Sequence, residues 1–305
     1  STILTLSLDL DMPFHYKSSL YSNRCLLLGT ETNGGNMRAL IKVTLLTAMA
    51  AFTAQGGEVQ PYSEDANTLH LWHLDEPSHP LADSAGSLTL YNWGSAGTLG
   101  VGSVADLGTA YESSTTANSD MQSIGDISWT NELMGTDGAF TWDMALRPDE
   151  AANSGAGVQM LMLHSGNKMQ LKLNYAAAGT LYLQMWDGVN SATLFNKRLD
   201  AGLGINTYAT NEWFHLAVTY DGTSAGKLYW TKLGDYTGTA NELASFSMSD
   251  LTLSDATLAF GGNANLGGSG NVFNGAIDEI RISDIARASD AFLVYIPAGT
   301  VVSVH

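Results

Sequence analysis

Two neighbouring segments carry Leu or Met at every second position, with polar or aromatic residues between. In 168–174 (KMQLKLN) and 180–186 (TLYLQMW), every second side chain is apolar. A period of two is typical of a β-strand with one buried face and one open face. The small-residue turn at 176–179 joins the two segments as an antiparallel hairpin. We therefore predict a half-buried hairpin whose outer face carries Tyr182 and Trp186.

Further strand-like segments follow one another along most of the chain. They are residues 68–74, 140–146, 158–165, 213–220, 227–233, 257–262 and 276–283. Turns rich in Gly, Asn, Asp and Ser separate many of them, and only residues 287–295 suggest a helical turn. This pattern predicts an all-β fold, a two-sheet antiparallel sandwich of the jelly-roll type. One domain over residues 60–296 accounts for it best.

The region before this domain has the features of a secretory signal peptide. Residues 37–54 begin with Arg38 and Lys42, continue with an apolar stretch and contain an Ala48-Met49-Ala50 cleavage pattern. The apolar stretch is too short to span a bilayer, and a short buried helix is the alternative interpretation. We expect residues 1–36 to be an upstream artefact or disordered, and the exported product to begin near residue 55.

The net charge limits the class of partner, and the cysteine content limits the disulfides that the chain can form. The formal net charge is -17, so the surface repels nucleic acid and anionic membranes. Cys25 is the single cysteine, so no disulfide can form within one chain. An exported protein without disulfides favours a bacterial source.

Four strings resemble, in family order, the bacterial laminin-G-like jelly rolls of the concanavalin A-like lectin and glucanase type. They are LWHLDE (71–76) with ADSAGS (82–87), FTWDMALRPDE (140–150), EWFHLAVTYDG with GKLYW (212–230), and FNGAIDEIRISDIARASDAF (273–292). The resemblance implies extracellular recognition of glycans or cell-surface proteins. The chain departs from the family over about 99–125, where the usual Phe-Asp-Gly turn is missing, so no site is transferred from that loop.

The candidate catalytic motifs are either absent from the sequence or have unsuitable geometry. The Glu-x-Asp-x-x-Glu strand of laminarinase-type glucanases is absent. Asp278 and Glu279 are adjacent in a strand and are expected on opposite faces, which excludes a retaining pair. The string GTSAG (222–226) lacks the helix that a nucleophile elbow needs, and the odd spacing of His70 and His73 argues against a shared metal. We assign no catalytic residue.

A calcium site is the metal hypothesis. Asp278 shares strand parity with Ile280 and Ile282, which predicts a core-facing carboxylate that needs a partner. Calcium prefers such oxygen ligands, and Asp83 or Asp75 from the opening loop would supply the second ligand. The alternative is that Asp278 accepts hydrogen bonds that fix a loop.

Aromatic side chains off the core face are the ligand candidates. Tyr182 and Trp186 lie four residues apart on one face, where sugar rings can stack. The predicted ligand-binding set is completed by Tyr229, Trp230, Asp187 and Asn263. Burial of these rings beneath a loop is the alternative.

The leading interpretation is a secreted or cell-surface lectin-like module that binds extracellular carbohydrate or a cell-surface partner, with Ca²⁺ as a possible cofactor. A polysaccharide hydrolase or lyase and a structural, adhesive surface protein are the other interpretations, because this fold hosts several functions.

Overall fold

The computed structural model divides the chain into two compact units, residues 1–55 and 56–305. It describes residues 28–33, 36–41, 58–94, 97–104, 107–113, 119–164, 169–176, 179–188, 190–235, 238–248, 254–262, 271–292 and 294–296. In the first unit, β1 (Leu28–Asn33) and β2 (Asn36–Ile41) form an antiparallel pair. The signal peptide predicted over 37–54 overlaps β2 and otherwise lies outside the described residues, so it stays a prediction.

The second unit consists almost entirely of strands. They are β3 (Glu58–Gln60), β4 (Thr68–Trp72), β5 (Leu90–Trp93), β6 (Thr98–Gly102), β7 (Thr109–Ser113), β8 (Asp120–Ser123), β9 (Ala139–Pro148), β10 (Gly157–His164), β11 (Met169–Ala176), β12 (Thr180–Asp187), β13 (Ala192–Arg198), β14 (Phe214–Asp221), β15 (Ala225–Lys232), β16 (Glu242–Ser247), β17 (Leu258–Phe260), β18 (Gly275–Ser283) and β19 (Val294–Ile296). The described helices are one α-helical turn, α1 (Trp129–Glu132), and two 3-10 turns, Gly204–Asn206 and Leu233–Asp235. None of them has the length and apolar character needed to cross a membrane.

Two antiparallel sheets form a sandwich. The seven-stranded sheet has the order β13-β12-β11-β10-β17-β8-β5. The eight-stranded sheet has the order β16-β15-β14-β9-β18-β7-β6, and β4 pairs with β18 beside β7. The predicted all-β, two-sheet sandwich is confirmed, and each strand-like segment named from the sequence contributes a strand.

The main core lies between the sheets. Because alternate side chains of β11 and β12 point inward, Leu171, Leu173, Leu181 and Leu183 are fully or almost fully buried there. Aromatic rings fill the rest of the space, and Phe140 stacks on the Trp142 ring with a centroid distance of 4.2 Å. The helical turn suggested for 287–295 was wrong: this segment contains a hydrogen-bonded turn and then β19.

A second apolar cluster covers the outer face of the eight-stranded sheet. Val59 and Tyr62 from the start of the unit and Phe292 from its end pack onto Ala145, Ala217 and Tyr229 of the sheet. Strands β3 and β19 also pair with each other. The outer face of this sheet is therefore largely occupied by the unit's own terminal segments.

Candidate functional site

The outer face of the seven-stranded sheet carries the predicted aromatic pair. Tyr182 and Trp186 stand on β12 at alternate positions to the buried Leu183 and Met185. Both rings are half-buried, so each keeps a solvent-accessible surface. The structure therefore places these two predicted residues on one open face, as a stacking platform requires.

An amide ladder lies between the two rings. Gln184 is on the same face, and its side-chain amide donates to Asn196 Oδ1 of β13 over 3.1 Å. On the other side, the Asn174 amide of β11 lies 3.5 Å from Gln184 Oε1. Sequence reasoning placed Asn174 and Gln184 on the polar face but missed Asn196, because its position depends on the register shift in the β12–β13 pairing. The ladder supplies the donors and acceptors that sugar hydroxyls need.

Lys172 of β11 contacts the ring of Trp186. Its ammonium lies 5.5 Å from the ring centroid and donates to Gln170 Oε1 over 2.9 Å. Partial burial lowers the pKa of Lys172. A ligand that stacks on Trp186 from this side must take the place of a flexible lysine side chain, a cation–π contact of about 1 kcal/mol.

Asp187 is a structural residue of the next turn. Its side chain is buried and accepts hydrogen bonds from the backbone N–H and the side-chain amide of Asn190. The prediction that Asp187 contacts the ligand directly was therefore wrong. Its carboxylate instead positions the exposed Asn190 at the end of β12.

Two predicted ligand residues are core residues. Trp230 is fully buried, stacks on Phe214 at 4.5 Å between ring centroids and donates its indole N–H to the Asn206 carbonyl. Tyr229 points the other way but is 3% exposed, because Phe292 packs on it with ring centroids 5.0 Å apart. The prediction that either ring is open to a ligand was wrong. Asn263, also predicted, lies outside the described residues.

A β-bulge changes the expected orientation of Asp278. The register with β9 slips between Asp278 and Arg281, and Glu279 adopts a φ of 47°. The core-facing residues are therefore Ile277, Ile280 and Ile282, all in the main core cluster. Asp278 pairs with Ala145 of the apolar cluster on the outer face, and Glu279 accepts a hydrogen bond from the backbone of Tyr62 in the same cluster. The predicted core orientation of Asp278 and the expected opposite faces for the two carboxylates were both wrong, because one extra residue shifts the alternation.

The two carboxylates of the bulge are fully buried and have different partners. Asp278 accepts a hydrogen bond from the Ser103 hydroxyl and one from the Glu279 backbone N–H. Burial, together with the negative charge of Glu279, raises the pKa of Asp278 to about 9. Glu279 accepts from the Tyr62 backbone N–H at 2.8 Å and contacts His73 Nδ1 at 2.7 Å. With no exposed surface, this pair offers a substrate no access from solvent.

The other predicted metal ligands are used in hydrogen bonds. Both oxygens of Asp83 are occupied, by His70 and by the backbone N–H groups of residues 71, 85, 86 and 88. Asp75 accepts from the backbone N–H of Thr109 at 2.7 Å. Within the described ranges, no three His, Cys, Asp or Glu side chains converge closely enough to hold a metal ion. The negative charge of Asp75 nevertheless contributes to the raised pKa of Asp278, so these two carboxylates are electrostatic neighbours.

A family model described as the concanavalin A-like lectin/glucanases superfamily matches residues 122–291, more than half of the chain. Solved structures share the fold. The binding domain of botulinum neurotoxin serotype D superposes with a TM-score of 0.53 at 14% sequence identity, covering 74% of this chain and 50% of that chain. The binding domain of Paraclostridial Mosquitocidal Protein 1 has a TM-score of 0.50 at 16% identity, covering 73% and 50%.

A third structure, the serotype D ligand-binding domain in complex with N-acetylneuraminic acid, has a TM-score of 0.50 at 14% identity, covering 74% of this chain and 49% of that chain. The chain thus spans about half the length of the structures it matches. A search of curated proteins found no match.

Proposed function

Because the chain belongs to the concanavalin A-like lectin/glucanases superfamily, we propose that it is a secreted recognition module that binds extracellular carbohydrate. The ligand stacks on Tyr182 and Trp186, and its hydroxyl groups exchange hydrogen bonds with the amide ladder Asn174–Gln184–Asn196. The loop residue Asn190, positioned by Asp187, contributes at the edge of the same face.

The observation that carries this proposal is the arrangement on β12. Two half-buried aromatic rings stand on one face with mutually hydrogen-bonded amides between them. Aromatic planes beside a few fixed polar groups are what sugar recognition requires. The outer face of the other sheet is covered by the unit's own terminal segments, whereas Tyr182 and Trp186 on the seven-stranded sheet keep exposed surface.

The net charge of the chain favours uncharged glycans over anionic ones. One of the structurally similar domains is in complex with N-acetylneuraminic acid, an anionic sugar. The net charge of -17 on this chain opposes an anionic ligand at long range. We therefore propose that uncharged glycans are the preferred ligands.

A glycan array probed with the parent chain, followed by Trp186→Ala on each hit, tests the proposal. We expect Trp186→Ala to weaken binding about 5- to 30-fold, since an indole–ligand stacking contact contributes on the order of 1–2 kcal/mol. Trp186→Phe, which keeps a ring, retains part of the affinity. A Trp186→Ala variant that binds every hit like the parent contradicts the assignment.

Ile205→Ala is the matched control for removing exposed apolar area. Ile205 is 64% exposed and lies in the 3-10 turn Gly204–Asn206, away from β12 in the chain. Its substitution is expected to leave glycan binding unchanged. If it weakens binding as much as Trp186→Ala does, the effect is non-specific adhesion.

We also propose that calcium binds at Asp278 and Asp75 and stabilises the loops of the eight-stranded sheet. The support is chemical: Asp278 is buried, and among the described residues no lysine, arginine or histidine forms an ion pair with it. Asp83 holds its loop through hydrogen bonds and is left out of the ligand set. Calcium that binds only the folded state raises Tm in a saturable way. A Tm that calcium does not move, in a chelator-treated sample, removes this proposal.

Export is tested separately. When the chain is expressed in a bacterium, we expect the product outside the cytoplasm to begin near Gln55, after cleavage of residues 37–54. N-terminal sequencing of the exported product checks this. A product retained in the cytoplasm with residues 37–54 attached contradicts the predicted signal peptide.

A further inference from the structure

A second pair of open aromatic side chains lies on β5, the strand that ends the seven-stranded sheet. Tyr91 is 37% exposed and Trp93 is 51% exposed. Leu90 is fully buried in the main core, so alternation along the strand directs Tyr91 and Trp93 to the outer face. Large aromatic rings left open together at a sheet edge point to a contact surface.

The strand register puts Tyr91 and Trp186 at the two ends of a single row across the sheet. The row consists of the pairs Tyr91–Gln122, Gln122–Ala259, Ala259–Leu163, Leu163–Gln170 and Gln170–Trp186. Strands in a sheet are about 4.8 Å apart, so these steps separate the two aromatic residues by about 24 Å. Both therefore belong to the same face of the molecule.

The middle of this row is closed to solvent. The residues between the ends, Gln122, Ala259, Leu163 and Gln170, are at most 5% exposed. The aromatic pairs Tyr91/Trp93 and Tyr182/Trp186 thus form two separate exposed areas on one face, on either side of a buried centre.

Buried polar groups of β8 support the β5 pair. Asp120 of β8 lies opposite Trp93, and Gln122 lies opposite Tyr91. The Gln122 side-chain amide donates to the Asp120 carboxylate, which fixes both groups beside the rings. Both polar side chains are 3% exposed, so they fix the strand behind the rings, and the rings of Tyr91 and Trp93 themselves form the surface on which a sugar can stack.

We propose that Tyr91 and Trp93 form a second carbohydrate subsite, and that one linear, uncharged polysaccharide binds both subsites at once. This inference rests on the proposed function of the Tyr182/Trp186 face. A polymer held at one subsite presents its next segments to the other at a high effective concentration. A trisaccharide is too short to reach across about 24 Å.

The test compares short and long ligands on the full chain. Trimers and polymers of glucan, xylan and arabinan are titrated into the parent, Trp186→Ala, and a Tyr91→Ala/Trp93→Ala double variant. The parent is expected to bind its preferred polymer about 100-fold more tightly than the trimer, as two-point binding predicts. The double variant loses that advantage and keeps the trimer affinity of the β12 subsite. Trp186→Ala loses the trimer affinity.

Each outcome separates the two claims. A double variant that binds polymer like the parent overturns the second subsite and leaves the proposed function standing. Trp186→Ala with parental affinity for trimer and polymer overturns the proposed function, and a parent that binds none of these probes overturns both. Trp93→Ala alone, at the more exposed position, replaces the double variant if that one does not fold. Ile124→Ala, which removes a 72% exposed side chain next to β8, is the matched control with unchanged affinities expected.

Discussion

Arg281 donates two hydrogen bonds to the carboxylate of Asp143, at 2.7 and 3.1 Å, across the pairing of β18 with β9. Both side chains are buried on the outer side of the eight-stranded sheet. Burial alone would raise the pKa of Asp143, but the charge and hydrogen bonds of Arg281 together with the neighbouring His215 outweigh it and lower the pKa to about 2. The ring of Tyr62 covers the guanidinium, with its centroid 3.8 Å from Arg281 Cζ.

Breaking this pair is expected to destabilise the fold strongly. Arg281→Met leaves the Asp143 carboxylate buried without its cation, which costs about 3–5 kcal/mol of unfolding free energy. Denaturant unfolding measures the difference. The control is Lys227→Met, which breaks an exposed ion pair with Glu242 and is expected to change the unfolding free energy much less, because solvent screens an exposed pair. Equal costs for the two variants contradict the importance of the buried pair.

Asp278 makes stability fall as pH rises. Its folded-state pKa of about 9 lies above the value of about 4 in an unfolded chain. The folded state therefore holds a proton that the unfolded state has lost, and stability decreases between those two values. We expect Asp278→Asn to gain about 1–3 kcal/mol relative to the parent at pH 8 and little at pH 4. Thermal unfolding in chelator at both pH values measures this, and a gain that is the same at both contradicts it.

Truncation of Trp230 is expected to destabilise the fold much more than truncation of Trp186. Trp230→Ala removes a fully buried ring and costs about 3–5 kcal/mol. Trp186→Ala removes a half-buried surface ring and costs about 1 kcal/mol or less. Thermal unfolding of both variants is the measurement. A Trp186→Ala variant as unstable as Trp230→Ala shows that its ring is a core element, which removes the platform.

The Tyr62 hydroxyl is expected to stabilise the folded state. It lies 2.9 Å from His215 Nε2 in a fully buried site. Tyr62→Phe removes this partner and costs about 1–3 kcal/mol. Tyr182→Phe is the matched control, because it removes a hydroxyl from the open face and is expected to change the unfolding free energy by about 0.5 kcal/mol or less. A smaller loss for Tyr62→Phe than for Tyr182→Phe contradicts the role given to this contact.

Alternation along β11 and β12 was enough to predict the hairpin, its buried leucines and the open face with Tyr182 and Trp186. That signal is local, because a strand with one buried face has an apolar residue at every second position. The same alternation failed at Asp278, because the bulge at Glu279 inserts one residue and a bulge leaves no clear mark in the side-chain pattern.

Long-range pairing explains the other failure. Tyr229 has the parity of an outward-facing residue, and it does face outward, but Phe292 from the far end of the domain covers it. The cover depends on contacts between residues distant in the chain, which a strand's own period does not encode. The same holds for Asn196 and for the row from Tyr91 to Trp186, which only the register reveals.

The antiparallel contact of Glu58 with Ile296 has a consequence for how the sandwich can be attached to other polypeptide. Entry and exit of the chain lie on adjacent strands, roughly 5 Å apart, behind the sheet that faces away from Trp186. The same closeness makes the sandwich suited to grafting into a surface loop of a host protein without stretching that loop.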